Sequence, residues 1–137
     1  MIKLILDTNV FISGIFWSGT PAKILNAWHE KILKIVSSLE ILDEYCRVSD
    51  ILAKKYPNVD IAPFINLMIR DSELFTPIKL KTPISRDSDD DKFIAVALAA
   101  NCQLIVSGDN DLLSVNGYKD IEIINPIEFV KKYLNPT

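Results

Sequence analysis

The segment Ile2-Lys3-Leu4-Ile5-Leu6 is an apolar, β-rich run that stops at Asp7. A second apolar run, residues 104–106, is followed three positions later by Asp109. Helical patterns lie between these runs and are joined to them by short connections. Strands that alternate with helices predict βαβ units, and right-handed crossovers then give a largely parallel sheet with helices on both faces. Because both faces are covered, the strands are continuously apolar.

Cap and turn signals set the expected boundaries of the other elements. We expect further strands at residues 32–36, 74–76 and 121–124, and helices at residues 20–30, from 39 onward, from 61 to about 70, 89–100 and from 126 onward. The predicted helix signals are Thr20-Pro21, the S-x-x-E capping box at residues 37–40, and N-caps at Asp60, Ser88 and Asn125. Asn101 is expected to end its helix in the left-handed conformation. Residues 8–19 and 77–87 carry no periodic pattern and are expected to be loops.

Length and composition predict a single globular domain over residues 1–137. The apolar fraction is 49% and the charged fraction 24%, which is ordinary globular usage. Cys46 and Cys102 lack the paired spacing of zinc or redox motifs, so buried reduced thiols are expected. The amino terminus is interrupted by Lys3 and Asp7 and does not resemble a signal peptide, and the uncharged residues 93–108 are too short for a membrane helix. We therefore expect a cytoplasmic protein with no membrane association.

Four acidic residues lie where one kind of expected element gives way to another. Asp7 and Asp109 follow apolar runs, and Glu44 and Asp90 lie in or at the start of helical patterns. Residues just beyond the carboxyl ends of parallel strands line one shared crevice, where α/β proteins place their ligand sites. Taken alone, Asp7 has an equally good explanation in ordinary Asx-turn chemistry. Glu44 alone is equally well explained as a solvated helix residue. The combination predicts a metal site.

A run of acids precedes the helix at residues 89–100 and consists of Asp87, Asp89, Asp90 and Asp91. One or two acids would suit the helix macrodipole for structural reasons. Four exceed that need, because carboxylates about 4 Å apart repel by about 4 kcal/mol at an effective dielectric near 20. A bound cation is the natural compensation. Gly108, before Asp109 and Asp111, is expected to let the backbone turn sharply.

The candidate ligands are all oxygen donors, and the one histidine, His29, is expected to lie on the surface or to pack. Oxygen ligands without histidine favour Mg²⁺ or Mn²⁺ over zinc. Mg²⁺ commonly takes its remaining ligands from phosphate, so the expected substrate is a phosphodiester, attacked by water that the metal activates. The net charge of −3 argues weakly against a general nucleic-acid-binding surface but is compatible with a catalytic contact.

Four segments together resemble PIN-domain ribonucleases, in particular the single-domain VapC-like toxins of prokaryotic toxin–antitoxin systems. They are Leu6-Asp7-Thr8-Asn9-Val10-Phe11-Ile12-Ser13, Glu40-Ile41-Leu42-Asp43-Glu44-Tyr45, Arg86-Asp87-Ser88-Asp89-Asp90-Asp91-Lys92-Phe93 and Val106-Ser107-Gly108-Asp109-Asn110-Asp111-Leu112-Leu113. Each segment alone is a weak signal. All four in this order, over nearly the whole chain, are fairly specific.

The resemblance implies a three-layer α/β/α fold around a central, mostly parallel sheet of about five strands. It also implies a Mg²⁺- or Mn²⁺-dependent endoribonuclease, an RNA substrate, a cognate antitoxin protein and a homodimer. The roles that it implies divide the acidic and polar residues into three groups: catalytic Asp7, Glu44, Asp90 and Asp109; metal ligands Asp7, Asp90 and Asp109; and supporting Asn9, Ser107, Asp91 and Asp111. The basic residues Arg86 and Lys92 flank the run of acids, and we expect them to contact the substrate. Asp90 is chosen over Asp91 from the alignment of the following helix.

Two other hypotheses about function stay open. A haloacid dehalogenase-type phosphohydrolase also has an early strand-end aspartate and a late Gly-Asp-x-Asp, but it needs a second acid where this chain has Asn9. A PIN-like module that binds RNA or protein without cutting is the non-enzymatic reading. An intact set of mutually repelling acids argues against that module.

Overall fold

The computed structural model describes residues 1–134. In this range five strands form one sheet in the order β3-β2-β1-β4-β5, and each neighbouring pair is parallel. The strands are β1 Ile2–Leu6, β2 Leu33–Ser37, β3 Glu73–Leu74, β4 Leu104–Val106 and β5 Glu122–Ile124. The predicted α/β class and parallel sheet of about five strands are confirmed.

Seven α-helices surround the sheet in the described residues: α1 Thr8–Phe16, α2 Thr20–His29, α3 Leu39–Lys55, α4 Ala62–Asp71, α5 Asp91–Ala100, α6 Asn110–Leu113 and α7 Pro126–Phe129. Short 3-10 turns cover Ser88–Asp90 and Tyr118–Asp120, and a π-helical turn covers Val130–Leu134. Helix α2 packs against α1 and α7, helix α3 packs against α1, α4 and α5, and both α2 and α5 contact β2. The sheet therefore lies between two helical layers. No helix in residues 1–134 is long and apolar enough to cross a membrane.

Side-chain caps explain several helix boundaries. Ser38 accepts a hydrogen bond from the N–H of Ile41 at 3.3 Å, and Asn125 accepts one from Glu128 at 2.8 Å. Asn101 ends α5 in the left-handed region, at φ 55° and ψ 34°. The predicted Ser88 cap is wrong: Asp87 accepts from the N–H of Asp89, because a 3-10 turn precedes α5.

Helix α1 was not predicted, since residues 8–16 were expected to be a loop. Its β-branched, Asn, Ser and Gly residues have weak intrinsic helix propensity. Packing overrides that preference, because Val10, Phe11, Ile12 and Ile15 are all buried. The short helix α6 was missed in the same way. As a result Asp7 both ends β1 and occupies the N-cap position of α1.

Two apolar residues are exposed, namely Leu39 at 74% and Ile127 at 57%, although the helical spacing of apolar positions around them would place both facing the core. Each lies in the first turn of its helix, and the inward positions there are Ile41 and Phe129, both fully buried. Cys102 is buried and Cys46 half-buried, and neither forms a disulfide. The expectation of reduced thiols is confirmed, with full burial for Cys102 only.

Gly14 sets the close approach of α1 to α2. A Cβ atom at this position would lie 2.6 Å from Leu25 Cδ1 and 3.0 Å from the carbonyl oxygen of Pro21. Gly14→Ala is expected to lower the free energy of unfolding by about 1–2 kcal/mol, because overpacking outweighs the better helix propensity of alanine. Urea denaturation measures the change.

Gly108→Ala is the matched control. A Cβ atom there would meet nothing within 4 Å, and the residue has no positive φ. Its stability should stay within about 0.5 kcal/mol of the unchanged chain, as for most uncrowded substitutions. Equal losses in the two variants would contradict the packing role of Gly14.

Candidate metal centre

The strand order places β1 and β4 side by side at the point where the chain reverses its direction of travel across the sheet. From β1 the chain moves outward to β2 and β3, and from β4 it moves the other way to β5. The crevice at the carboxyl ends of strands at such a switch point is the usual ligand site of an open parallel sheet. Asp7 follows β1 and Ser107 follows β4, with Leu6 paired to Val106. The topology therefore brings residues a hundred positions apart to one edge.

Ser107 connects the acids that follow the two strands. Its hydroxyl donates to Asp7 Oδ2 at 2.6 Å and accepts from the Asp109 N–H at 2.9 Å. Asp109 Oδ1 in turn accepts from the N–H of Asp111 at 2.8 Å and caps α6. Asp7 and Ser107 are both buried. These bonds hold the Asp7 and Asp109 carboxylates at fixed positions relative to the backbone.

Asp90 is buried, and its Oδ2 atom has no hydrogen-bond partner. Burial raises the pKa of Asp90 to about 7, with further contributions from the charge of Asp109, a hydrogen bond to that residue, and the charge of Asp7. Asp90 therefore lies against Asp109 and within the electrostatic reach of Asp7. A buried carboxylate oxygen without a partner is costly unless a cation or proton compensates it. This orphaned atom fits a metal ligand.

A second group of carboxylates differs from the predicted ligand set. Oxygen atoms of Asp87, Asp90 and Asp111 lie within 4.8 Å of one another, and in residues 1–134 this group does not include Asp7 or Asp109. Asp111 also pairs with Arg86 Nε at 3.2 Å. Asp90 thus belongs to both sets. Asp7 and Asp109 belong to the predicted set, and Asp87 and Asp111 belong to the group that lies within 4.8 Å.

Glu44 lies on α3 at the side of the crevice, where its charge acts on Asp7. Thr8 Oγ1 donates to Glu44 Oε2, and Lys92 Nζ lies 2.7 Å from Glu44 Oε1. The Lys92 ammonium also pairs with Asp89 at 3.2 Å. Burial by itself lowers the pKa of Lys92, but its hydrogen bonds to Glu44 and Asp89 outweigh burial and raise the pKa above its ordinary value.

The remaining predicted residues occupy distinct positions. Both Asp91 oxygens accept backbone N–H bonds, from Ile84 at 3.1 Å and Ser85 at 2.8 Å, so Asp91 anchors the preceding loop. Asn9 is exposed, and its backbone N–H donates a hydrogen bond to Asp7 that partly offsets the rise in the Asp7 pKa. The side chain of Arg86 is 88% exposed, whereas that of Lys92 is 8% exposed. Only Arg86 of the two expected substrate contacts therefore lies at an accessible rim.

Three residues at the site were not identified from the sequence. Thr8 holds Glu44, and the buried Ser85 donates to the carbonyl oxygen of Asp111 at 3.3 Å. Tyr45 donates its hydroxyl to the carbonyl oxygen of Leu6, and its ring stacks on Phe11 with centroids 4.4 Å apart. Burial raises the pKa of Tyr45 well above its usual value, so the hydroxyl keeps its proton. The sequence signal for Tyr45 was its position next to Glu44 on the buried face of α3.

Gly108 does not have the role that its position suggested. Its φ is not in the left-handed region, where the described glycines are Gly19 and Gly117, and the space around its missing Cβ is open. The turn after β4 is instead stabilised by the Ser107 and Asp109 side chains. The expectation of a glycine-dependent turn is therefore wrong.

The free energy of unfolding of the metal-free protein should fall as the pH rises from about 4 to about 7, because of Asp90. Asp90 has its pKa raised from 3.8 to about 7, so between about pH 4 and 7 the folded chain holds a proton that the unfolded chain has released. This contribution is present at the acid end of the window and is lost by its upper end. Burial also raises the pKa of Asp7, although the Ser107 hydrogen bond opposes it, so Asp7 adds in the same direction.

Asp90→Asn should therefore flatten the fall in unfolding free energy between pH 4 and 7. Chemical denaturation in the presence of a chelator, repeated across this window, gives the slope. Asp43→Asn, which changes an exposed acid on α3, is the control and should retain the slope of the unchanged chain. Identical slopes for Asp90→Asn and the unchanged chain would contradict the buried, proton-binding state of Asp90.

Comparison with known proteins identifies a relative and a family for this chain. The chain is 33% identical over 144 aligned positions to an uncharacterized protein of Methanocaldococcus jannaschii, covering 96% of this chain and 92% of that protein. A family model described as PIN domain matches residues 3–111, which contain β4, all of β1 except Ile2, and the acids of the site. The chain belongs to the PIN domain family, whose members are generally nucleases.

Proposed function

We propose that the chain is a Mg²⁺- or Mn²⁺-dependent endoribonuclease that hydrolyses RNA phosphodiesters in the pocket around Asp7, Asp90 and Asp109. One observation carries the proposal: Asp90 Oδ2 is buried without a hydrogen-bond partner, beside several other carboxylates. An all-oxygen donor set suits Mg²⁺ or Mn²⁺. Membership of the PIN family supports the nuclease class.

In this proposal each residue of the site has a separate role. A bound dication would neutralise charge on the transferring phosphoryl group and activate the attacking water. Asp7 and Asp109, fixed through Ser107, would hold that cation together with Asp90. Asp87 and Asp111 offer further oxygens on the other side of Asp90. Tyr45 ties the end of β1 to α3 and so limits movement of Asp7.

Arg86 is the proposed substrate contact. Its side chain is largely exposed and pairs with Asp111, and such exposed pairs contribute little stability. A phosphate group could therefore replace Asp111 as its partner, and the guanidinium fork suits phosphate oxygens. Lys92 is already paired with two carboxylates and is mostly buried, so we assign it a charge-balancing role in place of substrate contact.

The structure gives less support to the two competing functions. Covalent phosphoryl capture at Asp7 would need a second acid two residues later, where the exposed Asn9 stands. A binding module without catalysis has no use for the buried, orphaned oxygen of Asp90. We therefore favour hydrolysis by water at a metal site over both alternatives.

A finer biological role completes the proposal and rests on the resemblance to VapC-like toxins. In that role the chain is the toxin of a toxin–antitoxin pair, is covered by a cognate antitoxin and forms a homodimer. Two unpaired cysteines are in keeping with the reducing cytoplasm. Trp17 is 50% exposed and packs edge-on against Tyr56, 5.9 Å between centroids, which offers an aromatic surface for such a partner.

Asp7→Asn and Asp90→Asn should each reduce Mn²⁺-dependent cleavage of single-stranded RNA by at least about 100-fold, because each removes a charge that holds the cation. The metal-free fold should be retained or slightly more stable, since a like-charge repulsion is relieved. Gel analysis of end-labelled RNA measures cleavage, and thermal melting measures the fold.

Asp43→Asn serves as the control and should cleave as the unchanged chain does, since Asp43 is exposed on α3. Cleavage at the unchanged rate by Asp7→Asn or Asp90→Asn would remove that residue from the mechanism. Cleavage by the unchanged chain in excess chelator would show that the reaction does not need a metal ion.

A further inference from the structure

Glu44 has no free carboxylate oxygen, although it lies beside the proposed metal pocket. Thr8 donates to Oε2, and the Lys92 ammonium lies 2.7 Å from Oε1. The ammonium is held on its other side by Asp89 at 3.2 Å, and the Lys92 side chain is only 8% exposed. A carboxylate with both oxygens occupied by buried donors is poorly placed to bind a metal ion directly.

We propose that the Lys92 ammonium takes the place of a second divalent cation beside Glu44, so that the pocket binds one metal ion per chain. This inference rests on the proposed function, because it concerns the same metal pocket. It makes Lys92 and Glu44 positioning residues and leaves the ligand role to the aspartates.

The geometry makes Lys92 and a second ion at Glu44 mutually exclusive. In two-metal sites the ions lie about 3.5–4 Å apart and are bridged or flanked by carboxylates. On the α3 side of the crevice a second ion would need Glu44, whose charge acts on Asp7 there. The oxygens on the other side belong to Asp87 and Asp111, and Asp111 is already paired with Arg86. Glu44 would then have to release Lys92, and the ammonium, still paired with Asp89, would lie close to a dication. Repulsion between these like charges opposes that exchange.

The first turn of helix α5 carries both a proposed metal ligand, Asp90, and the Lys92 ammonium. Asp90 is the N-cap residue of α5, and Lys92 lies two positions later in its first turn. The same turn therefore presents the orphaned carboxylate to one side of the crevice and the ammonium to Glu44 on the other. Without a cation at this position, Glu44 would add its charge to a pocket that already contains Asp7, Asp90 and Asp109.

The test counts bound Mn²⁺ by isothermal titration calorimetry in the absence of RNA. Arg47 Nη2 lies 4.0 Å from Glu44 Oε1 and is mostly exposed, so Arg47→Gln is introduced in every protein to prevent it from replacing Lys92. In this background we expect one ion per chain. Adding Lys92→Met should give two, since Glu44 is then free to bind. Adding Glu44→Gln to that variant should restore one, and Lys92→Arg should keep one.

Each other outcome is decisive. Two ions in the Arg47→Gln protein, or one in the Lys92→Met variant, would overturn the role of Lys92 and leave the nuclease proposal standing. No bound ion in the Arg47→Gln protein would remove the proposed function and this inference with it. If the Lys92→Met variant is unfolded without metal, millimolar Mn²⁺ should restore its cooperative thermal transition, because ligands stabilise the state that they bind. Failure to do so, with Glu44→Gln restoring the fold, would also overturn the inference.

Discussion

Repulsion among closely placed carboxylates, two of them buried, shapes the whole crevice at the ends of β1 and β4. Asp7 is buried after β1 and Asp90 is buried at the start of α5, and each has its pKa raised by burial and by the charge of Asp109. A fold that keeps these groups together without a compensating charge gives up stability at neutral pH. The surrounding hydrogen bonds therefore act mainly to hold acids in place, as Ser107 does between Asp7 and the Asp109 backbone.

The chain compensates part of this charge internally. Lys92 neutralises Glu44 at the α3 side of the crevice, and Arg86 pairs with Asp111 at the exposed side. Between them Asp90 Oδ2 remains without a partner in the described residues. The two basic residues thus border the pocket but leave its centre negative. This arrangement is suited to a dication that arrives from solvent and to a phosphodiester that contributes the remaining ligands.

Much of the fold could be predicted from the sequence, because the signals were local and strong. The apolar run before Asp7 and the Asn125 cap both correspond to elements that the structure contains. Helix α1 could not be predicted, since its residues favour helix weakly and are held there by burial of Val10, Phe11 and Ile15. The order of strands, with β1 next to β4, follows from packing of whole βαβ units and has no signal in any single segment.

The candidate site was predictable only in outline. Strand ends could be located, so Asp7 and Ser107 could be expected at one edge. The orientation of each acid in residues 87–91 depends on the 3-10 turn before α5, which buries Asp90 and directs Asp91 to the Ile84 and Ser85 N–H groups. Thr8 and Tyr45 act through contacts that appear only once α1 and α3 are packed.

We infer that one dication offsets the repulsion in this crevice. An anomalous difference map from crystals grown with Mn²⁺ would locate this ion without reference to activity. We expect a peak coordinated by Asp90 together with Asp7 and Asp109. A map with no peak in the crevice, or with a peak bound only by Asp87 and Asp111 and out of reach of Asp7, would show that the inference is wrong.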